Sequence, residues 1–128
     1  MAEKRTTGPG RLLVAVYALF AVAAVSRAVV QIATKFDEAP LAYLLSLLSG
    51  IVYVVATLAL ARPGERARRI ALGTLLFELA GVLVVGTLSL FDSEAFPDAT
   101  VWSDYGRGYG FIPLVLPLVG LWWLRRTE

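Results

Sequence analysis

Apolar residues are concentrated in four long runs that short polar connections separate. The runs cover residues 12–34, 40–61, 70–90 and 109–124. The first three runs are 21 to 23 residues long. At about 1.5 Å of helical rise per residue, that length matches a hydrocarbon core about 30 Å thick. We therefore predict an all-α integral membrane protein, a single domain over residues 1–128 whose four spans form an up-down four-helix bundle.

Basic residues lie mainly on one side of these spans. Nine of them precede the first span, separate the second from the third, or follow the fourth: Lys4, Arg5, Arg11, Arg62, Arg66, Arg68, Arg69, Arg125 and Arg126. The other connections carry two, Lys35 and Arg107, together with six acids. Because Lys and Arg resist translocation, this bias predicts that both termini are cytoplasmic. The same bias explains the excess of basic over acidic residues, so no nucleic-acid partner is needed to account for it.

The residue types that are absent restrict the chemistry. The chain has no Cys and no His. Disulfides, thiol redox chemistry, imidazole-ligated haem, Cys/His zinc sites and His-dependent nucleophiles are therefore excluded. We expect no cofactor, no metal and no enzymatic activity. Arg, Ala, Val, Leu and Gly abound while Lys is scarce, which indicates a GC-rich bacterial genome and the bacterial plasma membrane as the location.

Two ionisable side chains, Arg27 and Glu78, lie inside apolar runs. An unpaired charge at mid-bilayer costs at least about 2.5 kcal/mol, so each of the two is a functional hypothesis by default. Counting from the cytoplasmic ends places Arg27 roughly 22 Å deep and Glu78 about 12 Å deep. A direct pair between them is therefore stretched. Tyr53 of the second span falls at the level of Glu78.

Polar neighbours suggest two interpretations of these residues. Gln31 lies one turn beyond Arg27, and Ser46 and Ser49 fall near the same level. In the functional interpretation, Arg27 and Gln31 form the floor of an outward-facing pocket, and Glu78 with Tyr53 is a deeper proton or cation site. In the structural interpretation, Arg27 snorkels outward or joins a packing network, and Glu78 is neutral or bonded to Tyr53.

Small residues predict which helix faces pack together. Ser46 and Gly50 form a small-xxx-small pair on the second span. Ala21, Ala24 and Ala28 follow a similar spacing on the first span. We interpret both sets as contacts within one chain, while a homo-oligomer seam stays open.

The connection over residues 91–110 is long for a helical bundle. Twenty residues usually mark a lid, a binding segment or disorder, and the aromatic content of this segment argues against disorder. We expect a lid that lies on the outer interface and includes Trp102 and Tyr105 as binding residues. The acids of the segment match no calcium-loop spacing.

Three stretches carry a resemblance to other proteins: SRAVVQIATKFDEAP at 26–40, FPDATVWS at 96–103 and YGFIPL at 109–114. With them the chain resembles a group of small, uncharacterised four-span integral membrane proteins of GC-rich Gram-positive bacteria. The resemblance implies a topology and no activity, cofactor or site. Length and span number also resemble small multidrug exporters and fluoride channels, but those exporters carry a carboxylate in the first span where this chain has Arg27.

The expected function is that of a non-enzymatic multi-pass membrane protein. Its partners are the lipid bilayer and either a membrane protein or a lipid-like ligand, bound through the outer half. The alternative is a small transporter for an anion or a proton-coupled solute, in which Glu78 exchanges a proton.

Overall fold

The described part of the chain folds into four helices. The computed structural model describes residues 8–91, Trp102, Tyr105, Gly106 and 110–126. Its helices are α1 (Pro9–Lys35), α2 (Pro40–Ala61), α3 (Glu65–Phe91) and α4 (Ile112–Arg126), with a short 3-10 helix, Phe36–Glu38, between α1 and α2. The predicted all-α fold is confirmed.

Local sequence explains where these helices begin. Proline occupies the first turn of α1 and of α2, where its missing N–H is not needed. The turn between α2 and α3 contains Gly64 at a φ of 104°, a backbone conformation that side chains other than glycine rarely adopt. The Gly64 carbonyl then accepts from the Arg68 N–H in the first turn of α3.

Three of the helices have the length and apolar composition of membrane spans. These are α1, α2 and α3. Helix α4 is different, because its 15 residues cover about 22 Å, less than a hydrocarbon core of about 30 Å. The fourth apolar run was predicted to begin at residue 109, which lies outside the described residues. The helix itself begins at Ile112.

The helices pack in chain order. Helix α1 packs mainly on α2, α2 also on α3, and α3 also on α4, while α1 and α4 touch less. The α1–α2 contact is close: a Cβ added to Gly50 would stand 2.8 Å from Cγ2 and 3.1 Å from the backbone nitrogen of Val25. On the opposite side of the bundle, Gly120 of α4 lies against Leu75 of α3. The prediction that Gly50 contacts another helix of the same chain is confirmed.

The outer surface of the helices is apolar. Large exposed hydrophobic residues occur on all four helices, for example Val22, Leu44, Leu76 and Leu118. The buried face of α1, in contrast, carries Ala21, Ala24 and Ala28. Small residues inside and large apolar residues outside are expected when lipid, and not water, surrounds a bundle. The structure is therefore that of a membrane protein.

We predict opposite effects for alanine at two glycines. Gly50→Ala must push α1 away from α2, and overpacking of this kind lowers the free energy of unfolding by about 1–3 kcal/mol. Gly73 has no atom within 4 Å of an added Cβ, so Gly73→Ala should raise stability by about 1 kcal/mol through helix propensity. Thermal unfolding in detergent, followed by circular dichroism, measures both. Equal stability of the two variants would refute the close contact.

Candidate functional site

The carboxyl group of Glu78 is the polar centre of the bundle. Glu78 is fully buried on α3. Its Oε1 accepts a hydrogen bond of 2.7 Å from the hydroxyl of Tyr17, which is also fully buried, on α1. Oε2 is buried and has no hydrogen-bond partner among the described residues. This hydrogen bond joins α1 and α3, which pack less closely against each other than consecutive helices do. The Tyr17 side chain therefore spans the space between them.

Tyr53 of α2 completes the buried group. Its ring centroid lies 6.0 Å from that of Tyr17 and 5.7 Å from that of Phe20. Its hydroxyl accepts a 3.0 Å hydrogen bond from Nε1 of Trp102, which belongs to the connection between α3 and α4. We call Tyr17, Tyr53, Glu78 and Trp102 the Glu78 cluster. Side chains from α1, α2, α3 and this connection therefore meet in one place.

Glycine on α3 makes room for Trp102. A Cβ added to Gly81 would lie 2.6 Å from the Trp102 ring, so the indole occupies the space that any larger side chain at position 81 would fill. Gly81 is one turn beyond Glu78 and ten residues before the end of α3, which is about 15 Å along the helix. The indole therefore covers Glu78 from the side of the 91–110 connection.

The Tyr105 ring packs against a second glycine of α3. Its ring occupies the space beside Gly86, and its hydroxyl lies 2.8 Å from Oγ1 of Thr87. The Thr87 hydroxyl already donates to the carbonyl of Leu83. Since a threonine hydroxyl has one proton, Tyr105 is the donor to Thr87. Trp102 and Tyr105 thus contact α3 at glycines that are five residues apart, about one and a half turns.

These contacts place Trp102 and Tyr105, the two predicted binding residues of the connection, against α3, while the lid on the outer interface stays a prediction. Trp102 is only 1% exposed and lies between helices, so it is not a surface binding residue. Tyr105 is half-buried. The rest of the 91–110 connection, apart from Phe91, Gly106 and Gly110, lies outside the described residues.

Arg27 lies on the exposed surface of α1, whereas Gln31, one turn further along, is buried. Arg27 is eight residues before the end of α1, about 12 Å along the helix. The two residues therefore have different surroundings, and the outward-facing pocket with both side chains as its floor stays a prediction. The Gln31 side-chain oxygen is buried and has no hydrogen-bond partner among the described residues.

The two serines also differ from the predicted arrangement. Ser46 and Ser49 are both buried on α2. The Ser49 hydroxyl donates to the Ser46 carbonyl at 2.7 Å, so it satisfies backbone within its own helix. Because both serines are buried between helices of the bundle, we assign them to helix packing.

Glu78 and Tyr53 were predicted to share one buried site, and the structure places both against Tyr17, which the prediction did not include. The donor to the carboxyl is Tyr17, not Tyr53. Tyr17 lies within the first apolar run, where a tyrosine is easily counted as another hydrophobic residue. Its hydroxyl was the available signal, because a buried phenol needs a hydrogen-bond partner.

Comparisons with protein-family models, with curated proteins and with solved structures find no match. The function must therefore be argued from the geometry of the site alone. One carboxyl group beside aromatic hydroxyls suits a proton or a small hydrogen-bonded ligand. The part of the chain that the structure describes contains no group of three His, Cys, Asp or Glu side chains that could hold a metal ion.

A double-mutant cycle should show that Tyr17 and Glu78 depend on each other. Tyr17→Phe leaves the buried Oε1 without its donor and should lower the free energy of unfolding by about 1–3 kcal/mol. Glu78→Leu leaves the Tyr17 hydroxyl without an acceptor and should cost a similar amount. The double variant should be far less unstable than the sum, because both polar groups are then gone.

Glu78→Gln is the matched control, since its amide oxygen can still accept from Tyr17. Thermal unfolding of all four variants in detergent provides the measurement. Strictly additive losses would show that the Tyr17–Glu78 hydrogen bond does not stabilise the fold.

Proposed function

We propose that the chain is a four-span protein of the bacterial plasma membrane with both termini in the cytoplasm. The end of α4 lies beside the start of α3, because Arg68 donates to the carbonyl of Leu124. Trp102 contacts α3 at Gly81, near the level where α4 begins, and Tyr105 contacts it at Gly86, beyond that level. Helix α4 and this buried connection together cross the membrane in our proposal. Irregular backbone at membrane depth is tolerated when protein encloses it.

Single cysteines test this topology, because the chain has no other cysteine. We expect Asp37→Cys to react with a membrane-impermeant maleimide in intact cells. Pro63→Cys and Arg126→Cys should react only after the membrane is opened. Reaction of Arg126→Cys in intact cells would show that α4 and its connection do not cross.

We further propose that the protein is not an enzyme and binds a partner, either a membrane protein or a lipid-like ligand, through the outer half of α1. The observation that carries this proposal is the exposure of Arg27 within a membrane-spanning helix. Nearby residues on the same helix, Val22, Val29 and Val30, are exposed and apolar. Ionisable side chains within membrane spans are rare and costly, and each is a functional hypothesis by default.

The surroundings of Arg27 define the chemistry of the partner. An apolar helix surface with one cationic group suits a helix that presents an acidic or amide side chain, or an amphiphile with an anionic head. Arg27 can also reach toward the interface along its aliphatic stem. Partner binding differs from snorkelling because a bound partner also shields the apolar residues beside Arg27 from lipid.

A proton-coupled transporter is the second candidate, and the buried Glu78 favours it. An acid inside a bundle is the kind of group that proton-coupled transporters use. On the side of the 91–110 connection, however, Trp102 blocks access to Glu78. Transport therefore requires Trp102 to leave Gly81 and break its hydrogen bond to Tyr53. The binding proposal requires no such rearrangement.

Photo-crosslinking in native membranes tests the binding proposal. We expect a photoreactive amino acid at Val30 to capture a discrete partner, and Arg27→Leu in the same chain to lower the yield by about tenfold, as a charge-assisted contact worth roughly 1.5 kcal/mol would. The control is the same probe at Leu44, exposed at a similar depth on α2, where Arg27→Leu should change nothing.

Mass spectrometry of the Val30 adduct then separates the candidates. A stoichiometric protein or a lipid-like molecule supports the binding proposal, whereas a retained polar solute favours transport. Adducts to bulk phospholipid alone, unchanged by Arg27→Leu, would overturn the proposal.

A further inference from the structure

The end of α4 carries an open groove with cationic walls. Trp122, Arg125 and Arg126 line it, and its volume is about 410 Å³, within the range of small-molecule sites. The guanidinium carbon of Arg126 lies 5.5 Å from the centroid of the Trp122 ring. This cation–π contact holds one guanidinium against the indole face.

The two neighbouring tryptophans have different roles. Trp123 is 7% exposed, but Trp122 is 53% exposed, and their ring planes are tilted by 44°. Trp123 therefore packs within the bundle while Trp122 stands outside it. An exposed indole at the end of a membrane helix lies at the headgroup level, where its apolar body and polar N–H both find suitable surroundings.

An apolar strip leads away from the groove along α4. Val115, Leu118 and Val119 are all exposed. Val115 is seven residues before Trp122, so the strip extends about 10 Å from the groove. The surface is thus cationic at one end and apolar along its length. An anionic amphiphile has the complementary arrangement, whereas a soluble anion would leave the strip unused.

Helix α3 contributes to the charge of this region in a different way. Arg68 donates to the Leu124 carbonyl at 3.4 Å, so the negative end of the α4 dipole is compensated from α3. Arg69 lies 3.7 Å from the Glu65 carboxylate. Arg125 and Arg126 are both exposed on the groove itself. Arg68 and Arg69 of α3 are thus directed to other partners, whereas Arg125 and Arg126 of α4 line the groove.

We propose that this groove binds the phosphate headgroup of an anionic phospholipid, with the acyl chains against Val115, Leu118 and Val119. Arg125 and Arg126 contact the phosphate, and Trp122 orients Arg126 and packs beside the glycerol region. The site is at the opposite end of the fold from Arg27, so it does not depend on the partner proposed above.

Native mass spectrometry of the purified chain with added lipid tests the proposal. The probes are phosphatidylglycerol and phosphatidylcholine with identical acyl chains. We expect one retained phosphatidylglycerol and a clear preference over phosphatidylcholine. Arg125→Gln with Arg126→Gln should lower retention about 25-fold, since each arginine near an anionic headgroup contributes a factor of about five.

The matched control is Arg62→Gln with Arg66→Gln, which removes the same charge beside the α2–α3 turn from two residues that do not line the groove. Retention should change less than about twofold. Equal losses in the two double variants would show diffuse attraction to basic residues and overturn the proposal. Equal retention of the two lipids by the unmodified chain would also overturn it.

Trp122→Leu keeps every charge and provides an independent test if the double arginine variant does not fold. Loss of the cation–π contact should lower retention about threefold. A photoreactive phosphatidylglycerol should, in the unmodified chain, label the peptide that contains residues 115–126. Labelling elsewhere, together with unchanged retention in Trp122→Leu, would contradict the groove as the binding site.

Discussion

The hydrogen bond from Tyr17 to Glu78 is the interaction on which the arrangement of the helices depends. A buried carboxyl group inside a lipid-facing bundle needs a donor, and water is not the ready alternative that it is for a soluble protein. The donor comes from α1, and the ring that carries it packs against Tyr53 of α2. One polar group thus links three helices whose outer surfaces are mainly apolar.

The short length of α4 is subject to the same constraint, that buried polar groups need hydrogen-bond partners within the protein. Its 15 residues do not reach the full length of α3, and the remaining length of α3 is contacted by Trp102 and Tyr105. A tryptophan at this depth must satisfy its indole N–H, which it does on the Tyr53 hydroxyl. Gly81 and Gly86 are therefore part of the polar arrangement, because they provide the space in which these two side chains reach their hydrogen-bond partners.

The fold could be predicted from the sequence because lipid imposes a length on apolar helices. The predicted second span, residues 40–61, coincides with α2. Helices α1 and α3 begin earlier than their apolar runs, at Pro9 and Glu65, since a helix can continue into the polar interface where hydropathy no longer marks it. The shape of the connection around Trp102 could not be predicted, because irregular backbone has no periodicity.

The candidate site was less predictable, and the reason is geometric. Counting residues gives the depth of a side chain but not its direction around the helix. Arg27 and Gln31 are four positions apart, which is about 40° of rotation, and that difference separates an exposed residue from a buried one. Glu78 and Tyr53 were matched by depth and do lie in one cluster, but the hydrogen-bond donor came from a third helix.

The direction in which each ionisable side chain points also determines which functions it can perform. Glu78 is fully buried and accepts from Tyr17, which packs on Tyr53, so a ligand reaches its carboxyl group only after buried side chains move. Arg27 lies on the exposed surface of α1, where a molecule within the membrane can reach it. This difference in exposure supports the proposed binding function over transport.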